Sequence, residues 1–161
     1  MNDNELNNYL AIADQAFIDK NIKIDYDEGK LSLHIVKMFE KNYNVKLPRI
    51  YVRFITQHNG AYIENDHFNY NGTESSIRFD EFGSIIGLLE SIKYDKEHGY
   101  DTYPDLHIPF GDDGGEGVLF FSYEHDHTTD NPKVVIIAEG EKELVAESFE
   151  EFINMLHDPE D

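Results

Sequence analysis

Residues 107–123 read HIPFGDDGGEGVLFFSY. An apolar run leads into two aspartates, two glycines, a glutamate and a third glycine, and a second apolar run follows. Such a stretch can hold a phosphate, hold a cation, or turn tightly between two strands. A phosphate loop needs a helix after its glycines, a lysine, and a Ser or Thr for magnesium. A dinucleotide fingerprint also opens a helix. Here the glycines lead into VLFFSY, whose β-branched and aromatic residues read as a strand, and the loop has no lysine. Asp112, Asp113 and Glu116 offer hard oxygen ligands for calcium, but an EF-hand alternates its ligands through a loop lying between helices. The hairpin needs no ligand, because Asp-Gly suits a turn that requires positive φ. Residues 107–111 and 117–123 are therefore expected to pair antiparallel, with Gly114 or Gly115 at positive φ.

The segments before this hairpin are mainly helical. Leu6, Leu10, Ala13 and Phe17 recur at helical spacing and predict an amphipathic helix over 4–19. A short extended link follows, and then Leu33, Val36, Phe39, Glu40 and Tyr43 place a mostly apolar stripe on a second helix. Pro48 ends whatever precedes it and suits the first turn of a third helix, which carries Tyr51, Phe54 and Ile55 and closes on Asn59-Gly60. From Ala61 onward, AYIE, HFNYN and SIRFDEF are short, aromatic and β-branched, as strands are. In 83–100, GSIIGLLESIKYDKEHGY, the first half can be a strand and the second a short helix ending near Gly99.

Beyond the hairpin, PKVVIIAE is a further strand. The last helix begins at Ser148, which forms a capping box with Glu151 and precedes a buried stripe of Phe149, Phe152, Ile153 and Leu156. Helices, then strands, then one helix predict an α+β fold: a mainly antiparallel sheet flanked by N-terminal helices and a C-terminal helix. One domain over 1–157 and a frayed tail over 158–161 are expected.

The charge is uneven. The chain carries 33 acids and 13 bases, a formal net of -20. Residues 101–161 hold 17 of those acids and only Lys133 and Lys142 as bases. The surplus favours solubility, and its asymmetry suits a basic partner, because complementary charge speeds association and rejects wrong partners. Lys and Arg form no cluster along the sequence, which argues against nucleic acid and anionic membranes as ligands. The absence of cysteine excludes disulfide and thiol chemistry. The N-terminus lacks the basic start and apolar core of a signal peptide, and a cytoplasmic location is expected.

Catalytic constellations are sparse. No serine stands in a Gly-x-Ser-x-Gly setting. His125 and His127 would share one face if their segment were a strand, as zinc or nickel ligation requires. The plainer alternative is a polar loop before Pro132. No cofactor is implied.

Three stretches jointly resemble the SMI1/KNR4 family of the SUKH superfamily. They are FEKNYNVKLPRIYVRFITQHNGA (39–61), IPFGDDGGEGVLFFSY (108–123) and ELVAESFEEFINML (143–156), and together they span about residues 30–156. Pro48, Asn59, Gly60, Gly111, Asp113, Gly114, Gly115, Tyr123, Ser148 and Glu151 fall on the family's structural positions. Ala61 and Glu116 stand where the family pattern usually has glycine, and the tryptophan that many members carry is absent.

The resemblance implies binding rather than catalysis. Bacterial members look like immunity proteins that neutralise a polymorphic toxin, often a nuclease, and fungal members look like regulators of cell-wall synthesis. The expected role is a non-catalytic immunity protein for a basic protein toxin. A regulatory scaffold, or a metal-dependent hydrolase using the loop acids with His125 and His127, are the alternatives. The expected partner surface is Asp112, Glu116, Glu124, Asp126 and Asp130, which lie on loops, where binding residues concentrate.

Overall fold

The structure, a computed structural model, describes residues 3–159. Helix α1 spans Asp3–Asn21. Its inward face does not follow the expected stripe: Asp14, Ile18 and Ile22 are buried, Ala13 is exposed and Phe17 only half-buried. The reason is an ion pair. Asp14 meets Arg49 at 2.6 Å, so the helix docks through a carboxylate that apolar periodicity cannot reveal. The side chains of Leu6 and Leu10 lie outside those described.

Strand β1, Ile24–Tyr26, replaces the expected link. Helix α2 covers Leu33–Tyr43, capped by the Ser32 side chain, which accepts from the His34 N–H. Helix α3 covers Arg49–Gln57 and buries Ile50, Tyr51, Phe54 and Ile55. Pro48 stands at its N-cap, one residue before the expected place. Asn59 anchors the end of this helix to two other parts of the chain: its N–H donates to the Gly29 carbonyl, and its side-chain oxygen accepts from the Phe82 N–H at 2.9 Å.

Four short strands come next: β2 (Tyr62–Ile63), β3 (His67–Tyr70), β4 (Thr73–Ser76) and β5 (Arg78–Phe79). Strands β1 and β2 pair, as do β3 and β4. Residues Phe82–Glu97 form one continuous helix, α4, which corrects the strand option for its first half. Phe82, Ile85, Leu89 and Ile92 are buried at helical spacing. The β-branched Ile85-Ile86 pair and Gly87, all weak helix formers, obscured that period.

The main sheet has strand order β5-β6-β7-β8-β9 and is antiparallel throughout. Its last four strands are His107–Asp112 (β6), Val118–Ser122 (β7), Lys133–Ala138 (β8) and Glu141–Ala146 (β9). Strands β6 and β7 are the expected hairpin, and Gly114 has φ 80°. The register shifts between Pro109 and Gly111, so Phe110 is a bulge residue.

The helices pack into one core with the sheet face that carries Ile108, Phe110, Leu119, Phe121, Val134 and Ile136. On the other face Phe120, Val135 and Ile137 form a small cluster with Tyr103.

Helix α5, Phe149–Met155, closes the fold. Ser148 accepts from the Glu151 N–H at 3.1 Å, while the Glu151 carboxylate reaches the Glu147 N–H rather than that of Ser148. Ser148→Ala should lower the unfolding free energy by about 1 kcal/mol, measured by urea denaturation; no loss would mean that water replaces the cap. Past the helix, His157 exchanges backbone hydrogen bonds with His67, and Asp158 lies 3.6 Å from Lys23. Pro159 is exposed, and the last two residues of the expected frayed tail, Glu160 and Asp161, lie outside the described residues.

Candidate functional site

The turn between β6 and β7 is bonded to itself. Asp112 accepts from the Gly114 N–H at 2.8 Å. Asp113 accepts from the N–H groups of Gly115 and Gly117, at 2.8 and 3.0 Å, and its own N–H donates to the Gly117 carbonyl. Both carboxylates brace the turn by accepting from its backbone, as aspartate does in turns. Strand β7 begins where a phosphate loop would need a helix. Among the described residues, no group of three or more His, Asp or Glu is gathered as a metal ion needs. His125 and His127 lie in the β7–β8 loop, not on the strand whose shared face their pairing required.

Tyr123, fully buried, donates from its hydroxyl to the Lys46 carbonyl at 2.6 Å. It thereby fastens the α2–α3 connection to the end of β7.

The five acids expected to act together divide between the two ends of the sheet. Asp112 and Glu116 belong to the β6–β7 turn, whereas Glu124, Asp126 and Asp130 belong to the β7–β8 loop. Strand β7 lies between them, roughly 16 Å long at the usual rise per residue.

Near the first end, the register brings the β8–β9 turn beside the β6–β7 turn. Glu116, Glu139 and Asp101 line one groove of about 660 Å³ together with Lys142. Glu141 and Glu143, exposed on β9, extend this acidic end. Asp80 lies behind it. Burial, then the charge of Asp112, pushes its carboxyl up to about 6, with Arg78 opposing the shift.

The sign of that shift gives a pH prediction. A carboxyl that holds its proton more tightly folded than unfolded loses stability as pH rises from about 4 through about 6. Asp80→Asn, which mimics the protonated group, should leave Tm unchanged near pH 4 and raise it near pH 8. Equal Tm differences at both pH values would remove Asp80 as the cause.

From the other end Glu124 reaches back to the acidic groove: its carboxylate meets Lys142 of the groove lining at 2.6 Å, and that hydrogen bond holds it below the usual carboxylate range. Lys142 also lies 3.4 Å from Nε2 of His107. His107 is lowered by burial first, which its Asp105 carbonyl contact opposes and Lys142 reinforces. The neutral ring therefore donates from Nδ1 to Asp105 and accepts from Lys142 at Nε2. Asp126 accepts from the N–H and hydroxyl of Thr128.

Asp130 and His127 stand on the rim of a larger groove, of about 1130 Å³. That groove corrects the expectation that no basic cluster exists. Lys30, Lys37, Lys41, Lys46, Arg49 and Arg53 all line it. The sequence carried a signal for it: Lys37 and Lys41, and Arg49 and Arg53, are each four apart on successive helices and so share a face.

What is built here is an α+β domain whose polar chemistry is displayed on charged surfaces. The chain belongs to the SMI1/KNR4 family (SUKH-1), whose model matches residues 30–155. That range starts before α2 and ends on the last residue of α5, leaving α1 and β1 outside it. Membership is consistent with an immunity or interaction protein. No curated protein matches the chain. Among the described residues, no helix is long and apolar enough to cross a membrane.

Proposed function

We propose that this chain is a cytoplasmic, non-catalytic immunity protein that neutralises a basic protein toxin with the acidic end of its sheet. The observation that supports this most is the gathering of Asp101, Asp112, Glu116, Glu139 and Glu141 around two neighbouring turns. A toxin that cuts nucleic acid needs a basic cleft to hold phosphates. An acidic surface enters such a cleft by the same electrostatics, and steering accelerates the encounter.

The test uses the toxin encoded beside this gene, if the adjacent gene encodes one, with stopped-flow association and residual toxin activity as readouts. Association should slow by about tenfold between about 50 mM and about 300 mM salt, because exposed charges are screened over about 10 Å at 0.1 M. The triple variant Glu116→Lys, Glu139→Lys, Glu141→Lys should bind at least about tenfold more slowly and keep its Tm, since exposed charges contribute little to stability. Glu124→Lys, Asp126→Lys, Asp130→Lys should have the smaller effect. The reverse order would move the interface to the β7–β8 loop. No neutralisation by the wild-type chain would end the immunity proposal.

A further inference from the structure

A protein with a net charge of -20 has 13 bases, and six of them line one groove. Among the described residues, three acids, Asp14, Glu40 and Asp130, line it with them. Two of these are committed internally. Asp14 is buried against Arg49 at 2.6 Å. Glu40 accepts from the Leu47 N–H at 2.7 Å and meets Lys37 at 3.1 Å. Among the described residues, Lys30, Lys41 and Lys46 form no ion pair, and all three are exposed. Like charges gathered on a flexible surface repel. Such a cluster presents a local positive field that an anionic group on an occupant would complement.

The groove is not purely ionic. Leu31, Val45, Leu47 and Val52 also line it. Leu33, on the same groove, is 52% exposed and extends its apolar part into solvent. An occupant with carboxylates at its sides and apolar groups beneath would satisfy both features.

We infer that this groove is a second binding site, distinct from the acidic end, for an acidic polypeptide segment that seats apolar side chains between the lysines. Nucleic acid fits less well. Among the described residues the lining holds no Phe, Tyr or Trp, the side chains on which single strands mostly stack. A phosphate chain, with its high linear charge density, would also meet the field of the whole acidic molecule. A second copy of this chain brings the same net charge and the same repulsion. An isolated acidic segment brings its charge only where the lysines are.

The experiment titrates the full-length chain into a labelled peptide of about twelve residues, in which Glu and Asp accompany Leu and Phe at helical spacing. Fluorescence anisotropy is the readout. Saturable binding is expected, weakening at least about tenfold between about 50 mM and about 300 mM salt. The Lys30→Glu, Lys41→Glu, Lys46→Glu variant should bind at least about tenfold more weakly, with circular dichroism and Tm close to wild type. A peptide with Gly in place of Leu and Phe should also bind more weakly, and the acidic-end triple variant should bind like wild type. Absence of saturable binding, or equal binding by the lysine variant, would overturn the inference. Tighter binding of a single-stranded oligonucleotide of the same length would replace it with a nucleic-acid site. Concentration-dependent self-association that the lysine variant abolishes would replace it with a second copy.

Discussion

Phe110→Ala is expected to cost about 3–5 kcal/mol, the usual range for emptying a fully buried phenylalanine site. Phe110 is 0% exposed. Its ring stacks on Phe121 with centroids 4.4 Å apart and meets Tyr51, Phe149 and Phe152 edge to face at 6.2, 5.7 and 5.8 Å. Such pairs add roughly 0.5–1.5 kcal/mol each beyond area burial. The bulge at Pro109–Gly111 gives the site few ways to collapse, because it fixes the direction in which the ring leaves the strand. The urea midpoint should fall while the slope of the transition stays constant, which separates a stability loss from a change in the unfolded state. Phe110→Leu should cost less, since it leaves a smaller cavity. A loss below about 1 kcal/mol for the alanine variant would mean that helices α3 and α5 do not meet across this ring.

The parts of the fold that were legible share a physical trait: their signals are local. The β6–β7 hairpin announced itself through Asp113-Gly114 between apolar runs, and α5 through Ser148 and Glu151. Strand β9 did not, because it is an edge strand with Glu141, Lys142, Glu143 and Leu144 all exposed. An edge left without a neighbour is commonly charged, and such a strand has no apolar alternation to detect. Its turn, Glu139-Gly140, has positive φ at both positions, 52° and 79°, but lacks the usual Asn-Gly or Asp-Gly sequence.

The candidate site was less legible than the fold for a related reason. Which loops share an end of the sheet follows from strand register, not from nearness in sequence. Glu116 and Glu124 are eight residues apart yet belong to opposite ends of β7, while Glu116 and Glu139 share a groove. The six bases of the other groove are scattered from Lys30 to Arg53. They converge because α2 and α3 pack together and Tyr123 holds their connection.

Gly111→Val is expected to cost roughly 3 kcal/mol or more, and Gly111→Ala about 1–3 kcal/mol, as overpacking of a filled site does. Gly111 does not have positive φ, so the loss would not come from backbone strain. It comes from space. A Cβ at this position would stand 2.6 Å from the Arg78 carbonyl oxygen and 2.6 Å from Cδ1 of Ile77. The isoleucine methyl can swing aside, but the carbonyl belongs to β5, whose short pairing with β6 rests on Arg78↔Asp112, Phe79↔Gly111 and the Asp80 N–H bond to the Phe110 carbonyl. Moving β5 also drags Phe79 away from Phe54, whose ring centroid is 4.8 Å from its own. Ile77→Val removes one of the two obstacles, so in the Gly111→Ala background it should recover part of the loss and no more. Gly114→Ala separates the two causes. Its Cβ would find its nearest neighbour at 3.6 Å, so its cost, about 1–2 kcal/mol, reflects positive φ alone and should be indifferent to Ile77. Thermal or urea unfolding of these variants decides the matter: if Gly111→Ala is harmless, β5 does not lie against β6 at this distance, and the glycine of the turn's entry has no structural duty.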